Sequence, residues 1–166
     1  LVRREDDAWT RWIDEEGFFD PLLMGGVSRK GWVWFAGSHQ MDSGPVAATA
    51  VLVGDTVITA THPDLDRSVN WSGGLESADG SLWISATADA LTHGLLGGLL
   101  RFDGEGWHHL HGDGAPISAY GFAQLPDGDL ITTGDRLRRY DGHAWYAVDG
   151  PPEVNARYSH SALVDA

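Results

Sequence analysis

The chain has 166 residues, 8 Trp, 22 Gly, no Cys and a formal net charge of -13. The lack of cysteine excludes disulfides, thiolate metal sites and a cysteine nucleophile. The negative charge argues against nucleic acid as a partner, because a phosphate backbone would be repelled. No apolar run approaches the roughly 20 residues that cross a bilayer, so we expect no membrane insertion in this segment.

One nine-residue pattern recurs along the chain. Residues 99–107 read Leu-Leu-Arg-Phe-Asp-Gly-Glu-Gly-Trp, and related copies lie at 1–9 and 137–145. A fourth copy with weaker similarity lies at 49–57. The copies are 38 to 50 positions apart, and periods of this size indicate a repeat architecture.

Asp-Gly pairs mark the turns of each repeat. Such pairs supply the positive φ of a two-residue hairpin turn, so the flanking segments are predicted to pair antiparallel. Each period then contains two hairpins, strands A to D, which together make one propeller blade. The pairs are Asp79-Gly80, Asp103-Gly104, Asp127-Gly128 and Asp141-Gly142.

The sequence therefore predicts an all-β fold: a β-propeller segment with three complete four-stranded blades and partial blades at both ends. Since both ends fall inside repeats, we expect the remaining blades to come from the same protein or from a second copy. In chain order we predict the end of a partial blade at 1–13, blades at 22–60, 72–110 and 119–148, and the start of a further blade at 157–166.

Small and large residues are placed as a propeller requires. Trp34 and Trp83 fall on strand B, where a large ring is expected to fill the gap between neighbouring blades. Glycines recur on strand A, where we expect crowding around the propeller axis to demand small side chains. These glycines are Gly25, Gly26, Gly73, Gly74 and Gly121.

Two segments carry a family resemblance. Residues 79–84 and 98–107 resemble the two-component regulator propeller repeat, whose pattern is Asp-Gly-x-Leu-Trp-Ile-Gly-Thr and then Gly-Leu-x-Arg-Tyr-Asp. Ser85 and Ala86 replace the Gly-Thr pair, and blade three has Ile131 in place of Trp. The last ten residues also resemble kelch repeats. The first resemblance implies a bacterial sensor or regulator of signal transduction, periplasmic or otherwise extracytoplasmic, with the cytoplasm as the alternative.

The predicted topology separates two faces. In a four-stranded meander the A–B and C–D turns lie on one face, and the B–C loops and D–A connections lie on the other, here called the long-loop face. Because long loops on a rigid scaffold carry most sites, we expect a ligand there. The predicted long segments are 37–46, 61–71, 85–96, 111–118 and 149–156.

Aromatic, imidazole and carboxylate side chains mark the expected ligand site. Trp71 at a channel mouth suits stacking on a sugar or another flat ligand, although it can equally cap the core between blades. The predicted ligand-binding residues are Trp71, His93, His111, Tyr158, His160, Asp64 and Asp66.

A divalent metal is the weaker interpretation of these residues. Imidazoles and carboxylates in one concavity are metal ligands, but no established metal-binding spacing is present. In the tract 108–111, alternation on a strand places His109 and His111 on one side and His108 on the other, which favours a half-exposed edge strand. We assign no metal, no cofactor and no catalytic residue.

The predicted function is a non-catalytic ligand-sensing or protein-interaction module within a larger sensor, binding a small molecule or a carbohydrate. One alternative is a carbohydrate-binding propeller that uses Trp71. The other is a lyase or hydrolase, with or without a divalent metal. That enzyme would draw its histidines from His39, His62, His93, His111 and His160.

Overall fold

The computed structural model describes most of the chain, and all regular structure in it is β-strand. No helix within this part is long and apolar enough to cross a membrane. The described residues are 2–5, 8–11, 18–20, 22–65, 70–87, 97–117, 119–134 and 136–149.

Within these described ranges, fourteen strands form a hairpin and three four-stranded antiparallel sheets. The hairpin pairs β1 (Val2–Glu5) with β2 (Ala8–Arg11). Blade 1 comprises β3 (Leu22–Val27), β4 (Val33–Met41), β5 (Gly44–Val53) and β6 (Thr56–His62). Blade 2 comprises β7 (Asn70–Glu76), β8 (Leu82–Thr87), β9 (Gly98–Phe102) and β10 (Trp107–Leu110). Blade 3 comprises β11 (Ala119–Gln124), β12 (Leu130–Gly134), β13 (Arg138–Tyr140) and β14 (Trp145–Ala147).

The strands of each blade pair in chain order, so every blade is a meander. Strand β7 contacts both β3 and β11. The first strands of the three blades are therefore neighbours, as they are around a propeller axis. The last strands, β6, β10 and β14, form the outer edges of their sheets. The predicted fold class, all-β with three four-stranded sheets, is confirmed.

The core lies between blades. Trp34 packs with Leu82, Ile84 and Phe102 of the next blade. Trp83 packs in the same way with blade 3, in a cluster that includes Leu130. The two tryptophans therefore fill the gaps between blades, as the sequence predicted.

The crowding at two strand A glycines has a different cause from the expected one. A Cβ on Gly74 would lie 2.3 Å from Cζ2 of Trp34, and one on Gly26 would lie 2.8 Å from the same atom. The indole of Trp34 lies between these two glycines, one from each blade. This ring, rather than the propeller axis, demands the small residues at both positions.

The A–B turns are longer than predicted. In blade 2 the Gly80 amide donates to the Ser77 carbonyl and the Ser77 amide donates to the Ser81 carbonyl. These bonds enclose three residues, with Gly80 at a φ of 80°. This is a type I turn followed by a left-handed bulge residue, so the predicted two-residue turn is wrong here. Equivalent bonds close the A–B turns of the other blades at Gly31 and Gly128.

The arginine of the repeat pattern holds the same turn from strand C. Nη2 of Arg101 lies 3.1 Å from Oδ2 of Asp79, and its Nε donates to Oγ of Ser81 at 3.1 Å. In blade 3 Arg139 pairs with Asp127 and Asp129. The Asp-Gly and Arg halves of the pattern thus meet in space in blades 2 and 3, which gives the motif a structural role within both of these blades.

The B–C loop of blade 1, on the long-loop face, is shorter than predicted. The predicted loop at 37–46 is mostly strand, because β4 and β5 remain paired as far as Met41 and Gly44. Gly44 has a φ of 109°, which permits a tight turn at this point. Among the described residues, the longest irregular stretch on this face is 111–117, which follows β10.

The packing of Trp34 predicts the effect of adding one methyl group. Gly74→Ala should lower the free energy of unfolding by about 1–3 kcal/mol, because the buried indole cannot withdraw from the new Cβ. Gly73→Ala is the matched control, since its Cβ would meet nothing closer than Oγ of Ser85 at 3.6 Å. Urea unfolding measures both variants, and equal losses would contradict this account of the packing.

The C–D turn of blade 2 predicts a dependence of stability on pH. Amides of Glu105 and Gly106 donate to Asp103 at 2.9 and 3.0 Å. These bonds, with His108, lower the pKa of Asp103 to about 2. The pKa is depressed in the folded state, so the stabilisation is present above the ordinary value of 3.8 and is lost as the pH falls towards 2.

Asp103→Asn keeps a side-chain acceptor but cannot ionise. Its deficit in free energy of unfolding relative to wild type should therefore shrink as urea titrations move from pH 5 to pH 3. Glu105→Gln removes a carboxylate from the same turn and leaves both amide donors in place, so it serves as the control. A deficit for Asp103→Asn that is independent of pH would refute the assignment.

Candidate functional site

Three potential metal or ligand donors meet on the long-loop face, where the outer strands of blades 1 and 2 end. Asp64 follows β6, His109 lies on β10 and His111 follows β10. One donor atom from each residue lies within 4.8 Å of the other two. We call these three residues the rim cluster.

A turn anchored in the core positions Asp64. The Leu65 amide donates to the His62 carbonyl at 3.1 Å, which closes a turn with Asp64 near its tip. Leu65 itself is 2% exposed and packs against Leu100 of blade 2. The apolar side chain thus pins the connection between the blades, and the adjacent carboxylate remains exposed beside β10.

Strand alternation positions the two histidines. Residues 109 and 111 point to the same side, and their ring centroids are 5.3 Å apart. The His109 side chain is only 7% exposed. It fits because Gly98, at a φ of 137°, has no Cβ; one placed there would lie 3.0 Å from Nε2 of His109.

Hydrogen bonds fix which ring nitrogens remain available. Nδ1 of His111 lies 3.0 Å from the carbonyl oxygen of His109. A carbonyl only accepts, so this Nδ1 carries a proton, and in the neutral form of the ring the lone pair is on Nε2. Nδ1 of His109 is hydrogen-bonded to Oδ2 of Asp64.

Charge at the rim cluster favours an ionised carboxylate. Burial raises the pKa of Asp64, but the hydrogen bond and the charge of His109 lower it by more, and the net pKa lies below its ordinary value of 3.8. The cluster therefore combines an ionised, half-exposed carboxylate with two imidazole rings, of which His111 is the exposed one.

His62, two residues before Asp64, is buried, and its contacts are with the scaffold. Its Nε2 is 2.8 Å from Oγ1 of the buried Thr49, and its ring meets Trp107 edge to face. Burial lowers the pKa of His62 to about 4, which keeps the ring neutral at pH 7. His39, another histidine of the enzyme alternative, stacks on Phe18 and bonds to its carbonyl oxygen at 2.8 Å.

Trp71 lies between blades 1 and 2 rather than at an open mouth. It is half-buried and packs against both apolar clusters at this interface. Its indole N–H donates to the Gly37 carbonyl of blade 1 at 3.2 Å. Of the two roles considered from the sequence, this position favours capping of the core between blades.

The structure brings together two of the predicted ligand-binding residues, Asp64 and His111. His109 joins them and was missed, because we interpreted the 108–111 tract as a plain edge strand. The alternation that pairs its ring with His111 was visible in the sequence, whereas the approach of Asp64 from another blade was not. The other predicted residues lie outside the described part: His93, Tyr158, His160 and Asp66.

Comparison with known proteins supports the fold. No protein-family model matches the chain, and no curated protein matches it significantly. The chain is similar to a solved structure of a catalytically inactive virginiamycin B lyase from Staphylococcus aureus with quinupristin. The two share 19% identity and a TM-score of 0.53 over 86% of this chain and 45% of that one. The chain thus spans less than half of the lyase, and at this identity the likeness shows the β-propeller fold alone.

The position of Trp71 predicts a stability effect. Trp71→Phe keeps most of the apolar contact but removes the N–H that satisfies the buried Gly37 carbonyl. We expect the free energy of unfolding to fall by about 1–3 kcal/mol, as measured by urea titration followed by circular dichroism. An unchanged free energy of unfolding would argue against the capping role and favour the other predicted role of Trp71, contact with a ligand.

Proposed function

We propose that this chain is a non-catalytic ligand-binding module of a β-propeller protein and that it binds its ligand on the long-loop face at the rim cluster. The observation that carries the proposal is the convergence of Asp64, His109 and His111 from two blades. His109 lies on β10 and the other two residues follow strand ends directly or within two residues, and the side chains of Asp64 and His111 are exposed, as polar recognition requires.

A binding role is favoured over catalysis by the contacts of His39 and His62, the two histidines of the enzyme alternative that the structure describes outside the rim cluster. His39 and His62 are engaged by Phe18 and Thr49 in contacts internal to blade 1 and its flank. Both are thereby tied to the scaffold instead of facing a substrate. A sensor role is supported by the repeat resemblance, and with it we propose an extracytoplasmic location and further blades from the same protein or a second copy.

A lyase is the second candidate, and one contact favours it. The hydrogen bond from Nδ1 of His109 to Asp64 is the arrangement that orients a histidine as a general base. The similar solved protein is a virginiamycin B lyase. The direct test is incubation of the chain with quinupristin and quantification of the remaining compound by mass spectrometry; consumption that His109→Gln abolishes would replace the binding proposal with this one.

A thermal unfolding screen tests the binding role. Wild type is heated with mono- and disaccharides, amino acids and cyclic peptides in turn. A ligand at about 100 times its dissociation constant adds roughly 2.7 kcal/mol, which raises the midpoint by a few degrees. Asp64→Asn and His111→Gln should abolish the rise for any compound that binds at the rim cluster.

Asp42→Asn is the matched control. Asp42 is exposed in the β4–β5 turn on the same face, and it lies outside the rim cluster. This variant should keep the wild-type response. A compound whose effect survives both cluster variants would place the ligand elsewhere and overturn the proposed site.

A further inference from the structure

The donor set of the rim cluster matches one class of ion. Two imidazole nitrogens and one carboxylate oxygen suit zinc and its neighbours in the transition series, whereas calcium and magnesium prefer oxygen ligands alone. We propose that Asp64, His109 and His111 bind a divalent transition metal of the zinc class between blades 1 and 2. This inference rests on the proposed function, because it names what the same site holds.

The hydrogen bonds of the cluster fit metal binding. His111 is held by the His109 carbonyl through Nδ1, which leaves Nε2 as the donor. A second hydrogen bond that fixes the ring of a ligating histidine is the usual feature of metal sites. Nδ1 of His109 is hydrogen-bonded to the Asp64 carboxylate. An ion that enters between the two takes the place of the shared proton, and the neutral ring then carries its proton on Nε2.

The distances require only a small adjustment. Metal–nitrogen bonds of about 2.0–2.1 Å in tetrahedral geometry place ligand atoms about 3.4 Å apart. The donor atoms here lie within 4.8 Å of one another, so the widest pair must close by at most about 1.4 Å. Nδ1 of His109 and Oδ2 of Asp64 are already hydrogen-bonded, so this pair must move apart to admit the ion. The nearly buried His109 provides the fixed point, while the half-exposed Asp64 side chain and the exposed His111 adjust their positions around it.

Two consequences follow from three protein ligands. Asp64 belongs to blade 1 and the histidines to blade 2, so the ion links the outer edges of the two sheets. A tetrahedral ion with three protein ligands also keeps one open position. That position accepts an oxygen or nitrogen of an incoming ligand, which gives the binding module a chemical preference for carboxylates and similar donors.

Calorimetric titration of the metal-stripped full chain with Zn²⁺ alone tests the proposal, together with the visible spectrum of the Co²⁺ complex. We expect one equivalent of Zn²⁺ to bind, with the absorption bands of tetrahedral cobalt. Asp64→Ala and His111→Ala should each weaken binding by about tenfold or more, since losing even an outer-shell partner has an effect of that size. Ca²⁺ should not compete with Zn²⁺.

His108→Ala is the matched control, because His108 is adjacent in sequence, exposed, and paired with Asp103 on the opposite side of β10. It should bind Zn²⁺ as wild type does. Circular dichroism checks that each variant is folded. Absence of Zn²⁺ and Co²⁺ binding, unchanged affinity in the cluster variants, or equal weakening in His108→Ala would each overturn the metal site.

The ligand screen in EDTA separates this inference from the proposed function. A compound that still stabilises wild type in EDTA, but fails to stabilise Asp64→Asn, would retain the binding role and refute the need for metal. Tight Zn²⁺ binding without any stabilising compound would support the metal site and refute the ligand role.

Discussion

The arrangement of blades 1 and 2 depends on the indole of Trp34. The ring is buried between two strand A glycines, Gly26 of its own blade and Gly74 of the next. Dispersion contacts and removal of apolar surface from water act over the whole ring, and the missing Cβ atoms let the two sheets approach closely. Because this contact sets the spacing of the blades, it also sets how far Asp64 stands from β10. The rim cluster is therefore a consequence of core packing several residues away.

The same interface combines tight packing inside with polar groups at its outer end. Leu65 is buried in the apolar part of the junction. Asp64, its neighbour in sequence, and His109 belong to the polar rim cluster at the ends of the outer strands. His62 marks the transition, since it is buried, neutral and bonded to Thr49. A binding site at such a boundary gains rigid positions for its donors without burying a charge, which would be costly in the core. This explains how a meander of short strands can present an ordered group of ligands at its edge.

The fold could be predicted from the sequence because the repeats share the same local signals. The Asp-Gly turns, the strand alternation and the tryptophans on strand B each act over a few residues, and they were interpreted correctly apart from the A–B turn length. The site was harder to predict because it joins different repeats. Asp64 and His111 were among the predicted residues, but their meeting with His109 depends on the angle between blades, which no local pattern encodes. The length of β4 was also not predicted. The tight turn before Gly44 has no Asp-Gly pair, which was the turn signal used elsewhere in the chain.

The fit of Trp34 against glycine also bears on how a repetitive chain avoids pairing the wrong sheets. At the next junction Trp83 is equivalent to Trp34, yet the positions of the two glycines are occupied by Leu75 and Phe122, which pack in the same cluster as Trp83. Blade 1 cannot dock on blade 3 as it docks on blade 2, because Phe122 of blade 3 would occupy the space that Gly74 leaves for the Trp34 indole. Similar repeats in one chain are prone to misassembly during folding. Unlike junctions of this kind assign each blade a single neighbour, so the order of the sheets is enforced by steric exclusion as well as by chain connectivity.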